Sequence, residues 1–385
     1  MQIIVAPDSY KGCVSAVMVA QAMSCGIRRV FPDAEVRQIP IADGGEGTVD
    51  ALLAATGGQR RRHLVRGPLG QPVEADWGIL GDGRTAVIEM AAASGLTLID
   101  SARRNPLLTS TFGTGQLLSA ALDAGLRKII IGIGGSATND GGAGMARALG
   151  IRFTDDDGNE LPEGGGALAK LQQIDLSKLD RRLSTSEIVV ACDVDNPLCG
   201  PRGASAVFGP QKGATPEMIV ELDAALGRYA EVARAATGRD IADVAGGGAA
   251  GGLGAGLLLF TPAQLRPGID LVLDAVDFVN VVKDATFVIT GEGHTDFQTV
   301  FGKAPIGVAK VAKRHGVPVF CLSGGLGLGR GADEVLSHGI DAVLSICDRP
   351  MTLEDGMRDA NALIENAAAR LCRIIRSTPG WPYRP

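Results

Sequence analysis

Five short segments bring glycine together with carboxylates, hydroxyls or lysine, and each follows an apolar run. Ala6-Pro7-Asp8-Ser9-Tyr10-Lys11-Gly12 is the first. Lys11 would offer an anion a point charge, and backbone amides at a helix start would add to it. An ordinary helix cap at Asp8 or Ser9 uses the same letters. Asp43-Gly44-Gly45-Glu46-Gly47-Thr48 is the second, with Asp43 and Glu46 suited to a metal–phosphate or a substrate hydroxyl, or simply to a turn before a helix. The third, Gly132-Ile133-Gly134-Gly135-Ser136-Ala137-Thr138-Asn139-Asp140-Gly141-Gly142, has the strand–glycine loop–helix plan that cradles phosphates with main-chain amides. It contains neither G-x-x-x-x-G-K-[ST] nor a correctly spaced G-x-G-x-x-G.

The fourth segment is Cys192-Asp193-Val194-Asp195-Asn196-Pro197-Leu198-Cys199-Gly200. Asp193 and Asp195 would share one face if the preceding strand continued, and such a pair suits Mg²⁺ or a positioned base. A further lysine, Lys212, follows in Phe208-Gly209-Pro210-Gln211-Lys212-Gly213-Ala214. The fifth runs from Thr290-Gly291-Glu292-Gly293-His294-Thr295-Asp296 to Gly302-Lys303. A glycine-rich stretch from Ala245 to Gly256 suits either a phosphate loop or close helix–sheet packing.

Such loops need strands to hold them. Gln2–Ala6, Glu35–Ile39, Ala285–Thr290, Val317–Leu322 and Ala342–Ile346 read as strands. Ser15–Val30, Pro305–His315 and a closing Thr352–Arg376 with Thr352 as cap read as helices. This alternation predicts an α/β fold with a parallel sheet. The middle contains a β-rich part at Pro72–Ile88 and strands at Lys128–Ile133 and Glu187–Cys192. Two domains are expected: a discontinuous Rossmann-like parallel-sheet domain (1–62 and 265–385) and an inserted α/β domain (63–264), with the site in a closing cleft.

Composition narrows the function classes. Glycine is 54 of 385 residues, hydrophobic residues are 45%, and the net charge of −6 speaks against nucleic acid as a partner. Arg60-Arg61-Arg62-His63 reads as a solvated loop. The seven cysteines form no C-x-x-C pair, and there is neither a signal-peptide pattern nor an apolar run of about 18 residues. A cytoplasmic protein with no membrane partner is expected, as a monomer or homodimer. The first strand lacks the dinucleotide fingerprint of a nicotinamide-dependent oxidoreductase, and the acidic loops count against a non-catalytic binding protein.

Taken in order, APDSYKG, ADGGEGT, GIGGSATNDGG, CDVDNPLCG, VFGPQKGA, GGAAGGLGAGL, TGEGHTDFQT and GKAPIGVA resemble the bacterial-type glycerate kinase family over essentially the whole chain. The resemblance implies ATP-dependent phosphorylation of D-glycerate to 2-phosphoglycerate, with Mg²⁺. Another small hydroxy acid as acceptor is the nearest alternative, because pocket shape sets the acceptor. Under the resemblance, Gly134, Gly135, Ser136, Thr138 and Asn139 are expected at the ATP phosphates and Lys11 at the transferring group. Asp193 is the expected base, with Asp43 also catalytic. Asp193 and Asp195 are the expected metal ligands, and Ser9, Glu46, Asp296 and Lys303 are expected at the substrate. The chain departs from the family pattern at Tyr10, His294 and Phe297.

Overall fold

The computed structural model describes residues 1–300, 302–327 and 333–378. Its described strands are β1 (Gln2–Val5), β2 (Glu35–Gln38), β3 (Gln59–Arg66), β4 (Pro72–Ile79), β5 (Thr85–Glu89), β6 (Lys128–Gly132), β7 (Arg152–Thr154), β8 (Gln173–Asp175), β9 (Glu187–Ala191), β10 (Ala263–Arg266), β11 (Phe287–Thr295), β12 (Val319–Leu326) and β13 (Ala342–Ser345). The chain divides into two compact units, one of Met1–Asp43, Asp50–Gly57 and Ile269–Pro385, the other of Gly44–Val49 and Gly58–Gly268. Boundaries at 62/63 and 264/265 would cut through β3 and β10. Both strands instead lie whole in the second unit, because each is paired along its length, β3 with β4 and β10 with β9.

The first unit is built on a sheet of order β13-β12-β11-β1-β2, parallel throughout. Ile3, Ile4 and Val5 are fully buried, as expected of a parallel strand covered on both faces. Ile3, Val5, Phe287, Ile289 and Leu322 pack with the apolar faces of the helices Ala16–Arg28 and Ala360–Ser377. Gly26 permits close approach of those helices, since a side chain there would overlap the Glu365 carbonyl and press on Ala368. The first helix is capped by Ser15, whose Oγ accepts from the Met18 amide (3.4 Å). Asp8 and Ser9 therefore do not cap it, and Lys11 is not at its first turn. The expected closing helix is interrupted at Asp359, whose carboxylate is drawn to Arg349 and Arg358, although Thr352 does cap the first piece, Leu353–Arg358.

The second unit contains a sheet of order β10-β9-β6-β5-β4-β3, in which β5, β6, β9 and β10 are parallel and β4 and β3 are antiparallel additions. The short β7–β8 pair stands apart from it. The basic run Arg60–His63 lies in edge strand β3, not in a loop, and Arg60 and Arg62 bind Asp76 on β4 at 3.0 and 2.6 Å. Charges along an edge strand also discourage pairing with another chain. The Ala245–Gly256 stretch contributes a helix, Ala249–Phe260, rather than an open phosphate loop. Within it Ala250, Gly251 and Gly252 are left-handed, and Gly251 packs on Thr138 and Asn139 while its carbonyl accepts from Gly141 (3.0 Å).

Candidate active site

Open parallel sheets bind ligands beyond the carboxyl ends of their strands, where strand order reverses. In the first unit that point lies between β1 and β11, and Asp8 stands at it. Its amide donates to the Gly291 carbonyl (2.8 Å) and its Oδ1 accepts from the Ser9 amide (2.6 Å). Asp8 is only 7% exposed. Burial, and next the charge of Asp43, push its carboxyl up from 3.8 to about 7; Glu292 acts in the same sense, while Ser9 and Lys11 oppose it. Lys11 Nζ lies 3.3 Å from Asp43 Oδ2, and Asp43 holds the ammonium above its ordinary range.

Glu292 belongs to β11, which runs on to Thr295 where the sequence suggested a loop after Thr290. Pairing with β12 as far as Leu326 carries the extra residues. Burial raises the Glu292 carboxyl, opposed first by a hydrogen bond from Thr299 and then by Lys303. Thr299 and Thr295 hydroxyls donate to its Oε1 at 2.8 and 3.1 Å. Lys303 Nζ stands 3.8 Å from both Glu292 Oε2 and Asp296 Oδ1, and His294 Nε2 is 3.9 Å from Asp296 Oδ2. The Tyr10 hydroxyl donates to the Leu322 carbonyl (2.8 Å) and so anchors the segment bearing Asp8 and Lys11. This unit thus gathers Ser9, Lys11, Asp43, Asp296 and Lys303 around the carboxyl ends of two neighbouring strands.

In the second unit, Gly134 and Gly135 are exposed after β6, and Gly135 has a left-handed φ of 75°. The Gly135 carbonyl accepts from Leu96 and the Ala137 amide donates to Ser94, which fixes the turn. The amides of Gly134, Gly135 and Ser136 have no acceptor among the described residues. Successive unpaired amides around a left-handed residue form an anion-binding concavity. Just beyond, the buried Thr138 Oγ1 and Asn139 Oδ1 find no hydrogen-bond partner among the described residues. Gly44 and Gly45 come against this region: a side chain at Gly132 would overlap the Gly44 carbonyl, and one at Gly134 would press on Gly45.

β9 ends at Ala191, so the alternation that would put Asp193 and Asp195 on one face does not extend to them. Both are exposed. Asp193 Oδ1 accepts from the Gly268 amide (2.9 Å), and Asp195 is ion-paired with Arg202 (3.1 Å). Glu46 is exposed.

Four charged groups emerge whose weight the sequence reading did not see: Asp8, Glu292, Asp140 and Lys212. The signal for the first two was a carboxylate placed at the carboxyl end of an apolar strand. Asp140 is fully buried and accepts from the Thr111 amide and hydroxyl (2.8 and 2.9 Å) and from the Gly142 and Gly144 amides (3.1 Å each). Burial still raises its carboxyl.

Residues 3–376 match the model of the glycerate kinase family. A glycerate kinase of Bacillus subtilis is 54% identical over 98% of both chains. A glycerate 2-kinase of Escherichia coli is 54% identical over 97% of this chain and 98% of that one. A crystal structure from Salmonella typhimurium LT2, provisionally assigned as glycerate kinase 2, superposes with a TM-score of 0.89 at 51% identity and covers 100% of both chains.

Proposed function

Because the chain belongs to the glycerate kinase family, we propose that it transfers the γ-phosphoryl group of ATP to D-glycerate, giving 2-phosphoglycerate and ADP. The observation that carries the chemistry is the buried Asp8, poised near neutrality beside Lys11, Asp43 and Glu292. In phosphoryl transfer a protein chiefly positions the reactants and balances charge.

The glycerate 2-hydroxyl oxygen forms the new bond to phosphorus, the bond from phosphorus to the β–γ bridging oxygen breaks, and the hydroxyl proton passes to the Asp8 carboxylate. An acid of raised pKa suits this task near neutral pH. Asp8 takes the base role in preference to Asp193, an exposed residue that accepts from a backbone amide. Lys11, held by Asp43, offsets charge on the transferring group. Lys303 receives the glycerate carboxylate, and Ser9 and Asp296 orient its hydroxyls. The unpaired Gly134, Gly135 and Ser136 amides donate to nucleotide phosphate oxygens, a fit supported by the Thr138 hydroxyl beside them, which has no partner among the described residues. Asp193 and Asp195 are oxygen donors of the kind Mg²⁺ takes, Asp193 hydrogen-bonded to the Gly268 amide and Asp195 ion-paired with Arg202. When bound, Mg²⁺ supplies charge neutralisation across the phosphate oxygens.

Incubation with ATP, Mg²⁺ and D-glycerate, followed by phosphorus NMR, tests the reading. A 2-phosphoglycerate resonance with matching ADP is expected. Absence of any phosphorylated glycerate at saturation refutes it, and 3-phosphoglycerate alone refutes the regiochemistry.

A further inference from the structure

Lys212 is 1% exposed, in a short turn after the helix Ala204–Phe208. Its Nζ donates to the Thr138 carbonyl at 2.7 Å, and Asp140 is the carboxylate whose charge supports it. A buried ammonium is costly unless it is compensated. Here the cost is visible, since burial lowers the lysine to about 7 while Asp140 opposes the fall. A methionine would fill the same volume without that penalty, so packing alone gives no reason for the charge.

Both of its partners, Thr138 and Asp140, lie in the loop that begins with the unpaired Gly134, Gly135 and Ser136 amides. The loop is held on three sides. Asp140 ties it to Thr111 and to the start of the helix Ala143–Ala148, and Gly251 presses on Thr138 and Asn139. Lys212 supplies the third tie.

We infer that Lys212 is a positioning residue, whose ammonium holds the Thr138 carbonyl and thereby keeps the Gly134–Ser136 amides in the shape that receives nucleotide phosphate. The inference rests on the reading of those amides as a phosphate cradle. Lys212 need not touch the nucleotide, and Thr138 transmits its effect along the backbone.

The test is ATP affinity by calorimetry on the full chain, with steady-state kinetics and thermal midpoint measured alongside. Lys212→Met keeps the aliphatic stem and removes the ammonium. A second variant, Lys212→Gln, leaves Asp140 in place and offers the Thr138 carbonyl a neutral donor, separating loss of the charge from loss of the tie. Gly135→Val tests the cradle itself, by adding a β-branched side chain at a left-handed position. Lys212→Met is expected to weaken ATP binding at least tenfold while the KM for D-glycerate changes less than twofold. Lys212→Gln is expected to recover part of the lost affinity, and Gly135→Val to lose ATP binding.

A merely structural lysine would lower the midpoint and leave ATP affinity within twofold in the folded variants. That result, with Gly135→Val still losing ATP, overturns the role of Lys212 alone. Normal ATP affinity in Gly135→Val overturns the cradle reading. Failure of both Lys212 variants to fold also overturns the inference, because Lys212 is then required by the core and not by the loop.

Discussion

Asp8→Asn removes the one buried carboxyl placed near neutrality at the end of β1, at almost no change in volume. A rise from 3.8 to about 7 is on the order of 4 kcal/mol, at about 1.4 kcal/mol per pH unit. Its sign is fixed by linkage. Between those values the folded chain keeps a proton that the unfolded chain has released, so the Asp8 contribution is fully present below about pH 4 and is lost as pH rises to about 7. The Asn variant does not titrate. Its stability relative to wild type should therefore climb by about 4 kcal/mol from pH 4 to pH 8, read as the difference in denaturant midpoints. Catalysis should move the opposite way. A positioned base contributes about 10²–10⁴-fold, so Asp8→Asn should lose activity on that scale at pH 8. The rising limb of the wild-type kcat/KM profile near pH 7 should vanish with it. A stability difference that is flat with pH refutes the assigned environment of Asp8. Activity within tenfold of wild type refutes its role, and severe loss in Asp193→Asn instead would return that role to Asp193.

Lys303→Ala should raise the KM for D-glycerate about tenfold or more, as expected for loss of a charged hydrogen bond, and leave ATP affinity within twofold; steady-state titration of each substrate separates the two. Gly26→Val should destabilise the first unit by about 1–3 kcal/mol, because the added methyls meet the Glu365 carbonyl and Ala368. A thermal midpoint equal to wild type would show that the two helices can part without cost.

The sheets were legible for a plain reason. Runs such as Gln2–Val5, Lys128–Gly132 and Glu187–Ala191 are apolar and β-branched, and a fully covered parallel strand needs little else. Element ends were less legible. β11 continues through Gly291–Thr295 because β12 lies alongside to pair with it, and glycine, histidine and glutamate give no local sign of that partner. The arginines of β3 hid an edge strand, since an outward-facing strand at a sheet edge can be charged nearly throughout.

The site divides along the same line. The order of the glycine loops pointed to the family, because close backbone approach restricts residue choice: Gly44 lies against Ala191, and Gly132 against the Gly44 carbonyl. The charged residues carry no such restriction in their letters. Asp195 and Asp8 are the same amino acid, yet one is a surface partner of Arg202 and the other is buried between carboxylates. Lys212 and Lys11 differ in the same way, one with its charge disfavoured by burial and supported by Asp140, the other with its charge reinforced by Asp43. Spacing located the acidic pair at Asp193 and Asp195, but the strand on which that spacing depended had already ended. What distinguishes Asp8 and Lys212 from Asp195 and Lys11 is the environment set by distant strands and turns, as Gly291 and Glu292 set it for Asp8 and Thr138 and Asp140 for Lys212.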